Sequence, residues 1–151
     1  MFIDIARSRR SCREFLPEPL SEEEMSLIME AGDLAPSSRS LRPVRLVPVR
    51  DEGLIRRLAL CRESSTKALE TATFAVIVAT DPSVSDVWIE DCSIASIMMQ
   101  LEAEDLGLGS CWIQVRLRGE GGTGAEEIVK REASLDPSFK VEAIMAFGKP
   151  R

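Results

Sequence analysis

The stretch 86–115, DVWIEDCSIASIMMQLEAEDLGLGSCWIQV, decides how this chain folds. Over 86–106, Val87, Trp88, Ile89, Ile94, Ile97, Met98, Met99, Leu101 and Leu106 fall at nearly every angle around a helix. It is the longest helix the sequence predicts. A helix apolar nearly all round belongs in a core or an interface, and both destinations stay open here. Gly107 and Gly109 then end it and release a strand at once, over Ser110 to Val115, the second glycine being expected to permit the sharp turn. Side chains alternate along a strand, so Trp112 and Gln114 share one face.

Working outward, Phe74 to Thr80 is an unbroken, largely β-branched apolar run, the mark of a strand covered on both faces. Val141 to Phe147 supplies a further strand. Val44 to Val49 supplies another, with Pro48 near its end or on a sheet edge. Helical spacing predicts short helices over Phe2 to Ser8, Asp51 to Cys61 and Ala125 to Arg131. A longer one starts at Ser21, where Ser21 and Glu24 form a capping box and Leu20 and Met25 stand at staple positions. Met25, Ile28, Met29 and Gly32 line its inner face, and Pro36 ends it by restricting Ala35. Mixed helices with about four strands predict an α+β or α/β sandwich, helices covering a sheet. The chain is 151 residues long, with no repeat or linker, and suits one domain.

Composition narrows the functions. The net charge of -6 argues against a general nucleic-acid binder. There is no histidine, and Cys12, Cys61, Cys92 and Cys111 form no CxxC pair, which removes a ready zinc site and His-dependent triads. Met1 to Arg13 lacks the apolar core of a signal peptide, and no stretch is long enough to span a bilayer. A reduced, cytoplasmic setting is the expectation.

Three segments could carry chemistry. Arg9-Arg10-Ser11-Cys12-Arg13 crowds guanidinium forks and a hydroxyl together, a donor set suited to a terminal phosphate. Taken alone, it is more simply a solvated basic turn. Ala35 to Pro43 is a polar loop bracketed by prolines, whose hydroxyls and amides can approach a flat heteroaromatic ligand; alone it is an ordinary loop. In the third, Trp112 beside Gln114 could border a ring system, although Trp112 alone reads as core. Gly119-Glu120-Gly121-Gly122-Thr123-Gly124 satisfies GxGxxG, but Glu120 stands where phosphate would bind and no βαβ series surrounds it, so a loop is expected.

In order and spacing, these pieces resemble the nitroreductase family, in particular a compact short-chain subgroup of FMN-dependent NAD(P)H oxidoreductases. The likeness runs through Arg9-Arg10-Ser11-x-Arg13-x-Phe15, Glu30-Ala31-x-x-Leu34-Ala35-Pro36-Ser37-Ser38, Asp91-x-x-Ile94-Ala95, Leu106 to Trp112, and Phe147-Gly148-Lys149-Pro150. The resemblance implies an α+β, three-layer α/β/α sandwich with a central, mainly antiparallel four-stranded sheet, extended as a homodimer with FMN at the subunit interface. It implies that Arg9, Arg10, Ser11 and Arg13 hold the flavin phosphate and ribityl region. Pro36, Ser37, Ser38, Ser40 and Arg42 would close over the ring from the second subunit. Trp112, Ile113 and Gln114 would line the ring, the Gln114 amide lying near flavin N5, and the helix from Asp86 would build the dimer interface.

Three departures stand out. Ser40 and Arg42 replace amides usual in the family, Met98 replaces an asparagine, and relatives continue beyond the position of Arg151 with another basic phosphate contact. Lys149 and Arg151 are the nearest substitutes. The implied activity is ping-pong transfer of reducing equivalents from NADH or NADPH to a nitroaromatic, quinone or flavin acceptor, with no catalytic side chain nominated. The alternative is a non-catalytic flavin-binding or flavin-carrier dimer.

Overall fold

The computed structural model describes residues 1–119 and 124–151. Within them, four strands form one sheet in the order β1-β2-β4-β3, every neighbouring pair antiparallel: β1 Val44–Val49, β2 Phe74–Thr80, β3 Gly109–Gln114 and β4 Lys140–Gly148. The helices are α1 Phe2–Ser8, α2 Glu22–Asp33, α3 Glu52–Leu58, α4 Lys67–Thr71, α5 Trp88–Asp105 and α6 Ala125–Glu132.

The apolar run of β2 works as its pattern predicts. Phe74, Val76 and Val78 enter a cluster with Met25, Ile28, Cys92 and Met99, beneath α2 and α5. Ala75, Ile77 and Ala79 enter the opposite cluster with Ile55, Leu58, Leu69 and Val129, beneath α3, α4 and α6. The period of two thus divides one strand between two cores, and every residue of it is buried. Burying a side chain of this size stabilises by about 1.5–3 kcal/mol, so this central strand anchors both layers. Pro48, which has no N–H to donate, sits on β1 at the sheet edge.

The predicted caps are present. Ser21 N donates to Glu24 Oε2 at 2.6 Å and Glu24 N donates to Ser21 Oγ at 3.1 Å, while Leu20 and Met25 are buried in one cluster. Asp51 caps α3 by accepting from Gly53 N at 2.8 Å, and the helical spacing predicted to Cys61 ends in a 3₁₀ turn over Ala59–Cys61.

The helix–strand junction corrects one expectation. Gly107, not Gly109, turns the chain: its φ is +74°. Gly107 N donates to Glu104 O at 3.0 Å and Leu108 N to Ala103 O at 2.7 Å, the paired bonds of a Schellman cap. Gly109 serves close approach instead. A Cβ there would stand 2.8 Å from Cys12 Cβ and Sγ, and one on its register partner Gly148 would stand 2.8 Å from Phe15. The paired glycines leave the hollow that Phe15 fills.

The inner face of α5 is also less greasy than its composition suggests. Ala95, Ser96 and Ala103 are buried together with Asp91 and Gln100, beside the apolar Cys92 and Met99, while Ile94 and Ile97 stay 38% and 40% exposed. Among the described residues, no helix is long and apolar enough to cross a membrane.

Candidate functional site

The predicted site residues fall into two groups at opposite edges of the sheet. The first is at the free edge of β3. There Ser11 makes a parallel bridge to Ser110, and Cys12 N donates to Ser110 O at 2.8 Å, so the arginine turn runs alongside the strand. Phe15 fixes it: buried on Gly109 and Gly148, it bridges to Pro150, and its N–H donates to Thr71 Oγ1 at 3.0 Å.

Antiparallel pairing sends the N–H and C=O of a given residue to the same side of its strand. The Gln114 carbonyl accepts from Arg62 Nη1 at 3.0 Å, outside the β3–β4 ladder. The Gln114 N–H therefore also points to the free edge. A cavity of about 320 Å³ opens there, bordered by Arg13, Arg62, Lys67, Trp112, Gln114 and Arg118. Trp112 is half-buried: it packs on the α5-side cluster and also borders the cavity. Ile113 differs. Its side chain is buried on the α3-side face, which leaves only its backbone for a ligand.

The arginines do not act alike. Arg10 Nη1 donates to Arg7 O at 2.7 Å and to Arg9 O at 2.9 Å, neutralising the carbonyl end of α1. Its guanidinium is engaged there, away from the cavity. Arg9 is half-buried, Ser11 is exposed, and Arg13 borders the cavity. Lys149 pairs with Glu18 at 2.7 Å, and Arg151 N donates to Glu14 O at 3.3 Å. Glu14 is held below its ordinary value chiefly by its hydrogen bond and charge contact with Lys67.

Arg62, Ser65 and Lys67, with Arg118, are among the cavity residues that the sequence pattern does not single out. The signal was present: Arg62-Glu63-Ser64-Ser65-Thr66-Lys67 repeats the mixture of cations and hydroxyls seen at 9–13. Ser65 has φ +64°, which marks a tight turn just before α4.

The second group lies beyond β1. A cavity of about 400 Å³ is bordered by Asp33, Pro36, Ser37, Arg42, Leu46 and Asp91. Its loop is held in an unusual shape, with Arg39, Ser40 and Arg42 at φ +54°, +53° and +51°. Such residues persist only where surrounding structure over-determines them. Here Ser38 N donates to buried Asp91 Oδ1 at 3.1 Å, Arg42 N to Ser37 Oγ at 2.9 Å, and Ser40 N to Ser37 O at 3.0 Å. Asp91 is thus a positioning residue, present in the sequence pattern Asp91-x-x-Ile94-Ala95 but not legible there as the anchor of a loop 53 residues away.

The two cavities share no lining residue. Three strand spacings, about 14 Å, separate β1 from β3 across the sheet. One subunit does not bring the halves together. Of the GxGxxG stretch at 119–124, residues 120–123 lie outside the described residues.

The Nitroreductase family profile matches residues 6–81 and 61–149. The chain belongs to the nitroreductase family. An FMN-dependent nitroreductase from Clostridium difficile R20291 superposes with a TM-score of 0.94 at 36% identity, covering 98% of this chain and 87% of that one. A protein of Desulfovibrio desulfuricans, provisionally identified as a nitroreductase and solved in complex with FMN, gives 0.83 at 27% identity over 99% of this chain and 86% of that one. An Archaeoglobus fulgidus protein provisionally named NADH dehydrogenase/NAD(P)H nitroreductase is 30% identical over 95% of this chain and 82% of its own length. The three-layer α+β sandwich implied by the sequence is therefore the nitroreductase fold.

Proposed function

We propose that this chain is an FMN-dependent oxidoreductase, one flavin-binding domain over residues 1–151, working as a cytoplasmic homodimer. It takes reducing equivalents from NADH or NADPH and delivers them to a nitroaromatic, quinone or flavin acceptor in a ping-pong cycle. The observation that carries this reading is the free edge of β3, where an outward Gln114 N–H, the rim of Trp112 and the cations Arg13, Arg62 and Lys67 border one cavity.

That donor set fits FMN. A flat ring needs an apolar wall and a donor at its polar edge, which Trp112 and the Gln114 N–H offer, with the backbone of Ile113 between them. Its phosphate needs fixed cations and hydroxyls, which Arg9 and Ser11 offer beside the strand. Arg10 joins them only if it leaves the end of α1. Bound flavin would supply the redox chemistry, exchanging reducing equivalents with nicotinamide and acceptor.

The chain's own groups do the rest. Arg13, Arg62 and Lys67 create a positive field that favours negative charge in the cavity, and the Gln114 N–H orients whatever polar edge lies against the strand. Trp112 excludes water from one side. Pro36, Ser37, Ser38, Ser40 and Arg42 reach such a site only from a second subunit, because their own β3 lies at the far edge of the sheet. The half-exposed Ile94 and Ile97 give α5 an apolar outer face on which two copies could meet.

Purified protein reconstituted with FMN should show a perturbed flavin spectrum, and anaerobic NADH or NADPH should bleach it. A bound flavin that neither nucleotide bleaches would establish the carrier in place of the enzyme. Failure to bind FMN would end both readings.

A further inference from the structure

Two of the four cysteines stand side by side at the arginine turn. The bridge between Ser11 and Ser110 is parallel, so the next residues, Cys12 and Cys111, project from neighbouring segments toward the same face. Both pack on the α3-side cluster. Cys12 N donates to Ser110 O at 2.8 Å, which locks the two segments at strand spacing. Strand spacing is about 4.8 Å, within the Cα separation that a disulfide spans.

The pair is asymmetric. Cys12 is half-exposed, its S–H donating to Glu14 O at 3.2 Å, with Sγ lying over Gly109. Cys111 is 7% exposed. Burial pushes its thiol up, the Arg13 guanidinium draws it back, and the adjacent Cys12 raises it again. The other two cysteines are buried, and burial holds Cys61 up and Cys92 at about 12. They are built as inert core residues. An accessible thiol beside a sheltered second thiol is the arrangement of a sensor with its resolving partner.

We propose that Cys12 and Cys111 form a peroxide-responsive dithiol that closes to a disulfide at the base of the arginine turn. The Cys12 thiolate attacks one oxygen of hydrogen peroxide; the S–O bond forms, the O–O bond breaks, and hydroxide leaves to be protonated. Cys12 then rotates away from Gly109, and the Cys111 sulfur attacks it. The S–S bond forms, the S–O bond breaks, and the departing hydroxyl takes the Cys111 proton as water. Two thiols and one peroxide become one disulfide and two waters, the two sulfurs losing two electrons together. Closure pins Cys12 to Cys111, which precede the cavity residues Arg13 and Trp112 in their segments, so it stiffens the edge of β3.

The test counts thiols, and it reads the same with or without flavin. Native protein is exposed to a small excess of hydrogen peroxide, quenched, denatured and alkylated. Four alkylatable cysteines should fall to two, with a Cys12–Cys111 linked peptide 2 Da lighter than the reduced pair. Reduction with dithiothreitol should restore all four. In Cys111→Ser, peroxide should leave Cys12 as a sulfenic acid that dimedone traps; in Cys12→Ser, three thiols should survive. Overturning results are four thiols surviving in native protein, a link involving Cys61 or Cys92, a link between two chains, or Cys12 passing directly to sulfinic acid with Cys111 still free.

Discussion

The two edges of the sheet are built on different principles. At β3, position comes from packing: Phe15 fills the hollow over Gly109 and Gly148 and holds the arginine turn against the strand. Beyond β1, position comes from hydrogen bonds: Asp91 and Ser37 hold a loop with three left-handed residues, and Leu41 beside them stays 39% exposed. The first edge carries donors and cations on a rigid wall. The second carries a strained loop that the wall of its own subunit does not meet. Such a division suits a site assembled from two copies, a fixed floor from one and an adjustable cover from the other.

The largest effect expected from that contrast is on stability. Phe15→Ala empties a fully enclosed site and should cost about 3–5 kcal/mol. The thermal midpoint should fall by roughly 10 °C or more, measured by calorimetry or circular dichroism. The comparable truncation at the other edge, Leu41→Ala, should stay within about 0.5 kcal/mol. Equal losses at both edges would mean that the loop is packed, not merely hydrogen-bonded, and the contrast would fail.

How much of this was legible in the sequence follows the same division. The run Phe74 to Thr80 encodes its two-sided burial directly, and Ser21 with Glu24 encodes a helix start, because both signals are local and periodic. Gly109 was legible as a glycine but not for its purpose: nothing near it in the chain announces that Phe15 will lie on it. Arg10 and Arg13 are indistinguishable as letters, yet one folds back on the carbonyls of α1 and the other borders the cavity. Arg62 and Lys67 are not legible as site residues, because the Arg62 bond to the edge of β3 spans 52 residues. Pattern predicts which face of an element is buried. It does not predict which polar group crosses the fold to meet another.

The proposed assembly of the site from two subunits can be tested by complementation. Arg13→Ala damages the β3 edge and should weaken FMN binding about 10- to 100-fold, the worth of one charge-assisted contact. Arg10→Ala, which loosens only the end of α1, should change it far less. Ser37→Trp fills the loop cavity and leaves the β3 edge intact. Neither Arg13→Ala nor Ser37→Trp alone should support nucleotide-driven bleaching at limiting FMN. A mixed dimer of the two, however, contains one undamaged pairing of edge and loop, so random reassociation should restore about a quarter of the sites. Recovery of none, with mixed dimers verified by differently tagged chains, would mean that edge and loop serve the same subunit or separate functions.

The smallest expected effect concerns a charge buried between the two edges. Glu142 is the extra residue where β4 shifts register against β2, between the pairs Val78–Ala143 and Ala79–Val141. Its carbonyl accepts from Val115 N at 3.0 Å and Arg116 N at 3.1 Å, so the shift terminates β3 just past Gln114. Its carboxylate is 2% exposed and accepts from Arg116 Nε at 2.9 Å. Burial raises the Glu142 carboxyl above its ordinary value, more than the Arg116 charge and hydrogen bond lower it, and Glu90 adds to the rise. The folded state therefore holds this proton more tightly than the unfolded chain. That contribution to stability is fully present below the ordinary glutamate pKa and is lost as pH rises through the elevated folded value. Glu142→Gln has no proton to lose. Urea midpoints of the two proteins, compared from pH 4 to pH 7, should shift in favour of the variant as pH rises; a constant difference would mean that Arg116 fully offsets the burial.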